Sequence, residues 1–173
     1  MGNNSKVGTR GIAISAMLLA ISVTTLYIQT ILPVANFTLY MLSSFYVAFV
    51  IIEAGPKTGW LFYIASCIFA LIFVPDKVFI IPYILFFGIY GVVKYYIELM
   101  RKLPIELILK MIFFNFSLGI MMIFYRELIL GSIKLPDFPM AILIIALEIA
   151  FLAYDYLYTL VIGFYTIRIK VSK

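Results

Sequence analysis

The sequence predicts an all-α integral membrane protein, one domain of six transmembrane helices with both termini in the cytoplasm. Three observations predict it. The 173 residues are 65% hydrophobic and only 12% charged, whereas a water-soluble domain carries about 25% charged residues. The apolar segments are continuous runs, without the alternation of a transmembrane β-strand. A span takes about 20 apolar residues, so the chain accommodates six spans with short connections and no soluble domain.

The predicted spans cover residues 11–32, 37–52, 60–74, 78–97, 105–125 and 138–167. Met1 to Arg10 is short and polar. Gly11 to Leu32 is too long for the apolar part of a signal peptide and lacks a small-residue cleavage site, so it reads as the first span. Pro33 to Asn36 is an uncharged turn. The second span ends at Glu53, where Gly55-Pro56-Lys57-Thr58-Gly59 is a strong turn signal. Trp60 opens the third span as an interfacial aromatic residue, and Pro75-Asp76-Lys77 closes it. The fourth has Pro82 in its first turns, where proline is best tolerated, and Gly88 and Gly91 give it a thin face. Arg101-Lys102-Leu103-Pro104 separates it from the fifth, which ends at Arg126-Glu127. Gly131 to Pro139 is the longest loop, and Arg168, Lys170 and Lys173 form a basic tail after the sixth span.

Orientation follows from the distribution of basic residues. With six spans, Lys6, Arg10, Lys57, Lys94, Arg101, Lys102, Arg168, Lys170 and Lys173 share one side, against Lys77, Arg126 and Lys134 on the other. That bias assigns both termini to the cytoplasm, and five spans would scatter the same charges.

Composition also narrows the chemistry. There is no His, and the single Cys67 lies within an apolar run. No intrachain disulfide follows, and zinc, haem or iron–sulfur sites are not expected, nor any other cofactor. Basic residues are not interleaved with exposed aromatics on a soluble surface, so nucleic acid is not expected as a partner. The acids are dispersed rather than clustered near one interface, so no catalytic constellation is predicted and the protein is not expected to be an enzyme.

The sixth span carries two carboxylates, Glu148 and Asp155. An ionisable residue inside a bilayer costs about 2.5–3.5 kcal/mol on insertion scales. Two helical turns separate the pair, so both project from nearly one face. That face must look into protein, toward a basic partner or a wet cavity. Tyr154, Tyr156 and Tyr158 crowd the same segment. Either a polar site or an ion-paired knot between helices accounts for this pattern. Glu148 lies roughly 15 Å below the outer end of the span, and Asp155 about 10 Å further in.

The outer polar residues are Asn36, Asp76, Lys77, Tyr83, Tyr125, Arg126 and Glu127. Lys77 and Arg126 are candidates to hold an anionic group and Glu148 a cationic one. Interfacial snorkelling is the alternative for Asp76, Lys77, Arg126 and Glu127. Asn115, near the middle of span five, is placed to bond a ligand or a neighbouring helix. Lys110 has Glu106 four residues before it, the favourable order for a local pair, with Asp155 as an alternative partner. Lys94 and Glu98 have a similar spacing.

In the first span, Ala16 and Ala20 stack on one face, and Ala13 and Ser22 add further small side chains to the span. Close backbone approach holds helices together in lipid, so this face packs either within the chain's own bundle or against a partner. With these residues the chain resembles the substrate-binding S components of energy-coupling factor (ECF) transporters. The resemblance rests on the alanine-xxx-alanine motif at Ala16 and Ala20, on Leu32-Pro33, on the apolar stretch Phe37 to Phe49 and on the Gly55-Pro56-Lys57-Thr58-Gly59 turn. It continues more weakly through Val74-Pro75 and Pro82-Tyr83-Ile84-Leu85-Phe86 and covers about the first hundred residues. No signature of a riboflavin, thiamine, biotin or folate binder is present.

The resemblance implies a protein of the bacterial cytoplasmic membrane that captures a vitamin or other small-molecule micronutrient from outside. A T component with two ATPase subunits would then drive release inward. It implies that Ala16 and Ala20 touch the T component, and that the ligand sits among the outer ends of spans four to six and the first outer loop. The sequence contains no P-loop of the Walker type, so ATP hydrolysis would belong to a partner. A second reading, from a different class, is a non-transporting bacterial membrane scaffold or assembly protein, with structural acids and another partner on the alanine face.

Overall fold

The computed structural model describes residues 8–32, 36–128 and 140–167; side chains at 36, 124–128, 140, 141 and 143 lie outside the description. It is an all-α protein with six helices long and apolar enough to cross a membrane. They are α1 (Thr9–Ile31), α2 (Asn36–Ala54), α3 (Pro56–Phe73), a composite fourth span Lys77–Glu98 that ends in α4 (Gly88–Glu98), α5 (Leu103–Leu128) and α6 (Met140–Tyr165). No strand occurs among the described residues. One domain is predicted from sequence; the contacts cluster into two compact units, Met1–Tyr96 and Ile97–Lys173.

In the first unit the helices are turned inside out relative to those of a water-soluble protein. The buried face of α1 carries Gly11, Ser15, Ser22, Thr25, Leu26 and Gln29. Its exposed face carries Ile12, Met17, Ile21, Tyr27, Ile28 and Ile31. Polar groups belong inside when the surroundings are hydrocarbon, and small side chains let helices approach closely. The apolar core beside them is built from Val47, Val50 and Ile51 on α2, Phe62 on α3 and Val92 on α4, with Leu18 and Leu19 of α1 packed against it.

The turn between α2 and α3 is tighter than the sequence predicts. Only Gly55 is non-helical, and α3 begins at Pro56 rather than Trp60. Gly55 takes φ +88°, a conformation that favours glycine, and Pro56 occupies the first helical position, where its missing N–H is no loss. Gly59 follows because a Cβ there would lie 2.3 Å from Ile51 Cγ1.

The fourth span departs furthest from expectation. Instead of one α-helix it runs as a 3-10 turn (Lys77–Ile80), a π turn (Tyr83–Phe87) and then α4. Asp76 starts it by accepting the Val78 N–H at 3.0 Å. Pro82 has no N–H to give the preceding turn, and its ring crowds the carbonyl four residues back, so regular helix is not favoured across it. Beyond it the Gly88 N–H reaches back five residues to the Tyr83 carbonyl. The Ile84 carbonyl, the acceptor that an α-helix would use, takes a hydrogen bond from the Tyr63 hydroxyl at 2.8 Å. The Tyr40 hydroxyl likewise donates to the Phe79 carbonyl. Irregular backbone within a membrane span persists only when such partners are supplied. Stacking of Tyr40 on Phe87, with centroids 5.0 Å apart, fixes α2 against the same turn.

In the second unit, α5 buries Lys110, Phe114 and Ser117, and α6 buries Phe151, Tyr154 and Tyr158. Each set recurs at helical spacing, so each helix turns one face inward. Phe114 stacks on Phe151 with centroids 4.5 Å apart and planes 6° from parallel. Tyr154 and Tyr158 meet edge to face at 5.6 Å. Tyr156, grouped with them in the sequence, is 66% exposed, because each helical step turns a residue by about 100°.

Candidate functional site

Three arrangements have chemical potential: an ion-paired knot in the second unit, a neutral polar interior in the first, and the alanine face of α1. In the knot, Lys110 of α5 donates from Nζ to Glu98 Oε1 and to Asp155 Oδ2, both at 2.9 Å. The lysine side chain is 8% exposed, Asp155 17% and Glu98 37%. Glu98, Lys110 and Asp155 all belong to the second unit, and Asp155 projects from the inward face of α6, so two carboxylates of that unit converge on one ammonium. Of the alternatives for Lys110, the Asp155 bridge forms. Glu98, spaced to meet Lys94 on its own helix, reaches Lys110 of the next. A cation between two carboxylates leaves one net negative charge when all three are ionised, and the partly open Glu98 is the end solvated most readily.

One step further along the same pair of helices, Asn115 Nδ2 lies 3.5 Å from Glu148 Oε1 and 3.0 Å from the Met111 carbonyl. Both Glu148 and Asp155 therefore meet side chains of α5. The Glu148 contact is long for a hydrogen bond, with Asn115 exposed and Glu148 half-buried.

The neutral interior of the first unit centres on Tyr83. The tyrosine is fully buried, and its hydroxyl lies 2.7 Å from Ser66 Oγ of α3. Ser22 Oγ of α1 approaches the same hydroxyl but makes no hydrogen bond of its own. Gln29 Nε2, Gln29 Oε1 and Ser43 Oγ are likewise buried without hydrogen-bond partners. An amide moved from water into apolar surroundings without compensating hydrogen bonds costs roughly 2–7 kcal/mol. Gln29 is absent from the candidates named from sequence. The signal that marks it is the repeat Ser15, Ser22, Gln29, one residue every seven along α1, which puts all three on one helical face.

Ala16 and Ala20 are exposed, as is Ala13. Two open apolar grooves border them. One, of about 280 Å³, is lined by Ala16, Leu19, Ala20 and Val23 with Phe69 and Phe73 of α3. The other, of about 380 Å³, runs from Ile12 and Ala16 to Leu61 and Ala65. Ser22, grouped with these alanines in the sequence, turns instead to the buried face.

The other candidates sort as follows. Lys77 donates to the carbonyls of Leu71 and Val74, closing the last turn of α3, so two of its three donors are engaged at a helix end. Asn36, Tyr125 and Arg126 belong to helices, but their side chains lie outside the described residues. Among the described residues no group of His, Cys, Asp and Glu is arranged to hold a metal ion. Comparison with known protein families, curated proteins and solved structures finds no match for this chain.

Proposed function

We propose that the protein is the membrane-embedded substrate-binding component of an ECF-type uptake transporter. It sits in the bacterial cytoplasmic membrane with both termini inside, captures a small micronutrient from outside and hands it to a T component with its two ATPase subunits. The observation that carries this reading is the state of Ala16 and Ala20. They stay uncovered beside two apolar grooves, while Ser15, Ser22, Thr25 and Gln29 of the same helix are turned inward. Small exposed residues on a membrane helix let a second helix approach closely. The resemblance of the first hundred residues to S components supplies the kind of partner.

The test is co-purification with a T component and two ATPase subunits from detergent. Wild type is expected to associate, and Ala20→Trp to lose association while its thermal unfolding midpoint is retained. A wild-type chain that never associates, or an Ala20→Trp variant that associates as well as wild type, refutes the proposal. The scaffold reading is favoured by one observation: Lys110 accounts for Asp155 without any ligand. An isolated chain that retains full stability and recruits only other membrane proteins would support it.

A further inference from the structure

We infer that the interior of the first unit holds a binding position for a small uncharged molecule that presents a hydrogen-bond donor beside an acceptor, as an amide, lactam or pyrimidine edge does. The assignment of that molecule as the transported solute rests on the function proposed above; the binding position itself rests on geometry.

The first observation is a contrast within one set of side chains. Ser15, Thr24, Thr25 and Thr58 each donate to the carbonyl four residues earlier in the chain. This is the ordinary way for a hydroxyl to satisfy itself in a membrane helix. Ser22, Ser43 and Gln29 do not follow it. All three are 0% exposed; the polar atoms of Ser43 and Gln29 have no hydrogen-bond partner, and Ser22 has only the Tyr83 hydroxyl nearby. Glutamine cannot be satisfied by one back-bond in any case, since its carboxamide has two donors and an acceptor with two lone pairs.

The second observation is depth. Ser22 lies nine residues before the end of α1, Ser43 seven after the start of α2 and Ser66 seven before the end of α3. At 1.5 Å per residue these positions are about 10–14 Å below the same end of the unit. The Ser66–Tyr83 hydrogen bond brings the fourth span to the same level. Four elements thus contribute a hydroxyl to one layer. Gln29, on the same face of α1 as Ser22, stands about 10 Å nearer the end.

The third observation is charge. The groups named in the layer and above it are neutral. The buried Lys94 is eleven residues beyond Tyr83 on the fourth span, about 16 Å further along. Lys77, at the opposite end of that span, is engaged by two carbonyls. A bound anion or cation would lack a counter-charge here, whereas a neutral polar molecule needs none. A carboxamide is suited to such a guest because its oxygen and its N–H lie side by side and pair with a matching donor and acceptor, as glutamine does with an adenine edge.

The experiment uses the full chain in detergent, with uracil, 2-pyridone and nicotinamide as probes and with 1,3-dimethyluracil and benzoate as controls. The readouts are the thermal unfolding midpoint and titration calorimetry. At least one probe should raise the midpoint saturably. Dimethyluracil, which has no N–H, and benzoate, which is charged, should not. Gln29→Leu should weaken binding by about tenfold or more, the loss expected for two neutral hydrogen bonds. Where that variant does not fold, Gln29→Asn, which keeps the amide but withdraws it by one methylene, should show the loss. If no probe stabilises the protein, or if the Gln29 variants bind as wild type does, internal water alone satisfies the carboxamide and the inference is overturned. Probe binding without association to a T component would refute the transporter reading and leave the site intact. Association without probe binding would do the reverse.

Discussion

Replacing Lys110 by Met tests whether the acids of the second unit are held by one cation. At 2.9 Å each Lys110–carboxylate attraction is about 6 kcal/mol gross at an effective dielectric constant of about 20. Most of that is offset by desolvation. The two acids differ in how much remains. Glu98, more than a third exposed, behaves as a surface partner worth about 0–1 kcal/mol. Asp155 is 17% exposed, and removing a partner from a buried pair costs about 3–5 kcal/mol. Its partial exposure argues for the lower figure, so Lys110→Met should destabilise the protein by about 3 kcal/mol. Glu98→Gln should cost less than about 1 kcal/mol. The double variant Lys110→Met/Asp155→Leu, which removes the stranded charge together with its partner, should return to within about 1 kcal/mol of wild type. The assay is SDS-induced unfolding of the micelle-purified protein followed by far-ultraviolet circular dichroism. A Lys110→Met variant as stable as wild type, or a double variant no better than the single one, would refute the assignment of Lys110 as the charge that makes Asp155 tolerable.

Two further predictions concern the broken fourth span. Tyr63→Phe removes the hydroxyl that serves the Ile84 carbonyl; it should cost about 1 kcal/mol and speed hydrogen exchange at the Gly88 amide, measured by mass spectrometry of the labelled protein. Ser66→Ala removes the hydrogen-bond partner of the buried Tyr83 hydroxyl and leaves it only Ser22 nearby; it should cost about 1 kcal/mol in the same SDS titration, with most of the loss recovered by adding Tyr83→Phe.

The architecture was legible because membrane spans are written in long runs. Run length and bounding prolines, glycines and charges suffice to count six apolar helices long enough to span. Where the starts differ, backbone chemistry explains it. Pro56 reads as part of a turn in the sequence, yet a proline at the first helical position fits a helix start, and α3 therefore begins earlier. Pro82 reads as a tolerated proline in an early helical turn, and the span instead passes from 3-10 to π geometry around it. No local pattern announces this, because the compensation comes from Tyr40 and Tyr63, on two other helices.

The site was less legible for a reason specific to lipid. In water, an amphipathic helix declares its buried face by hydrophobicity. In a membrane both faces are apolar, so only a few polar residues distinguish them, and their spacing must be read with the opposite sign. Ala16 and Ser22 illustrate the difference. Both are small, and size alone does not separate their faces. The structure turns the serine to the interior and the alanines outward, as expected where a hydroxyl is costlier in hydrocarbon than a methyl group. Glu148 and Asp155 stand out in the sequence because a carboxylate is conspicuous in such a run. Gln29 does not, although its buried amide has more hydrogen-bonding capacity to satisfy than any of the serines beside it. In a bundle of this kind the informative polar residue is one that neither bonds back to its own helix nor meets a charge. By that criterion the first unit, with Gln29 and Ser43 unsatisfied, has more left to bind than the acids of the second, one of which already has its partner.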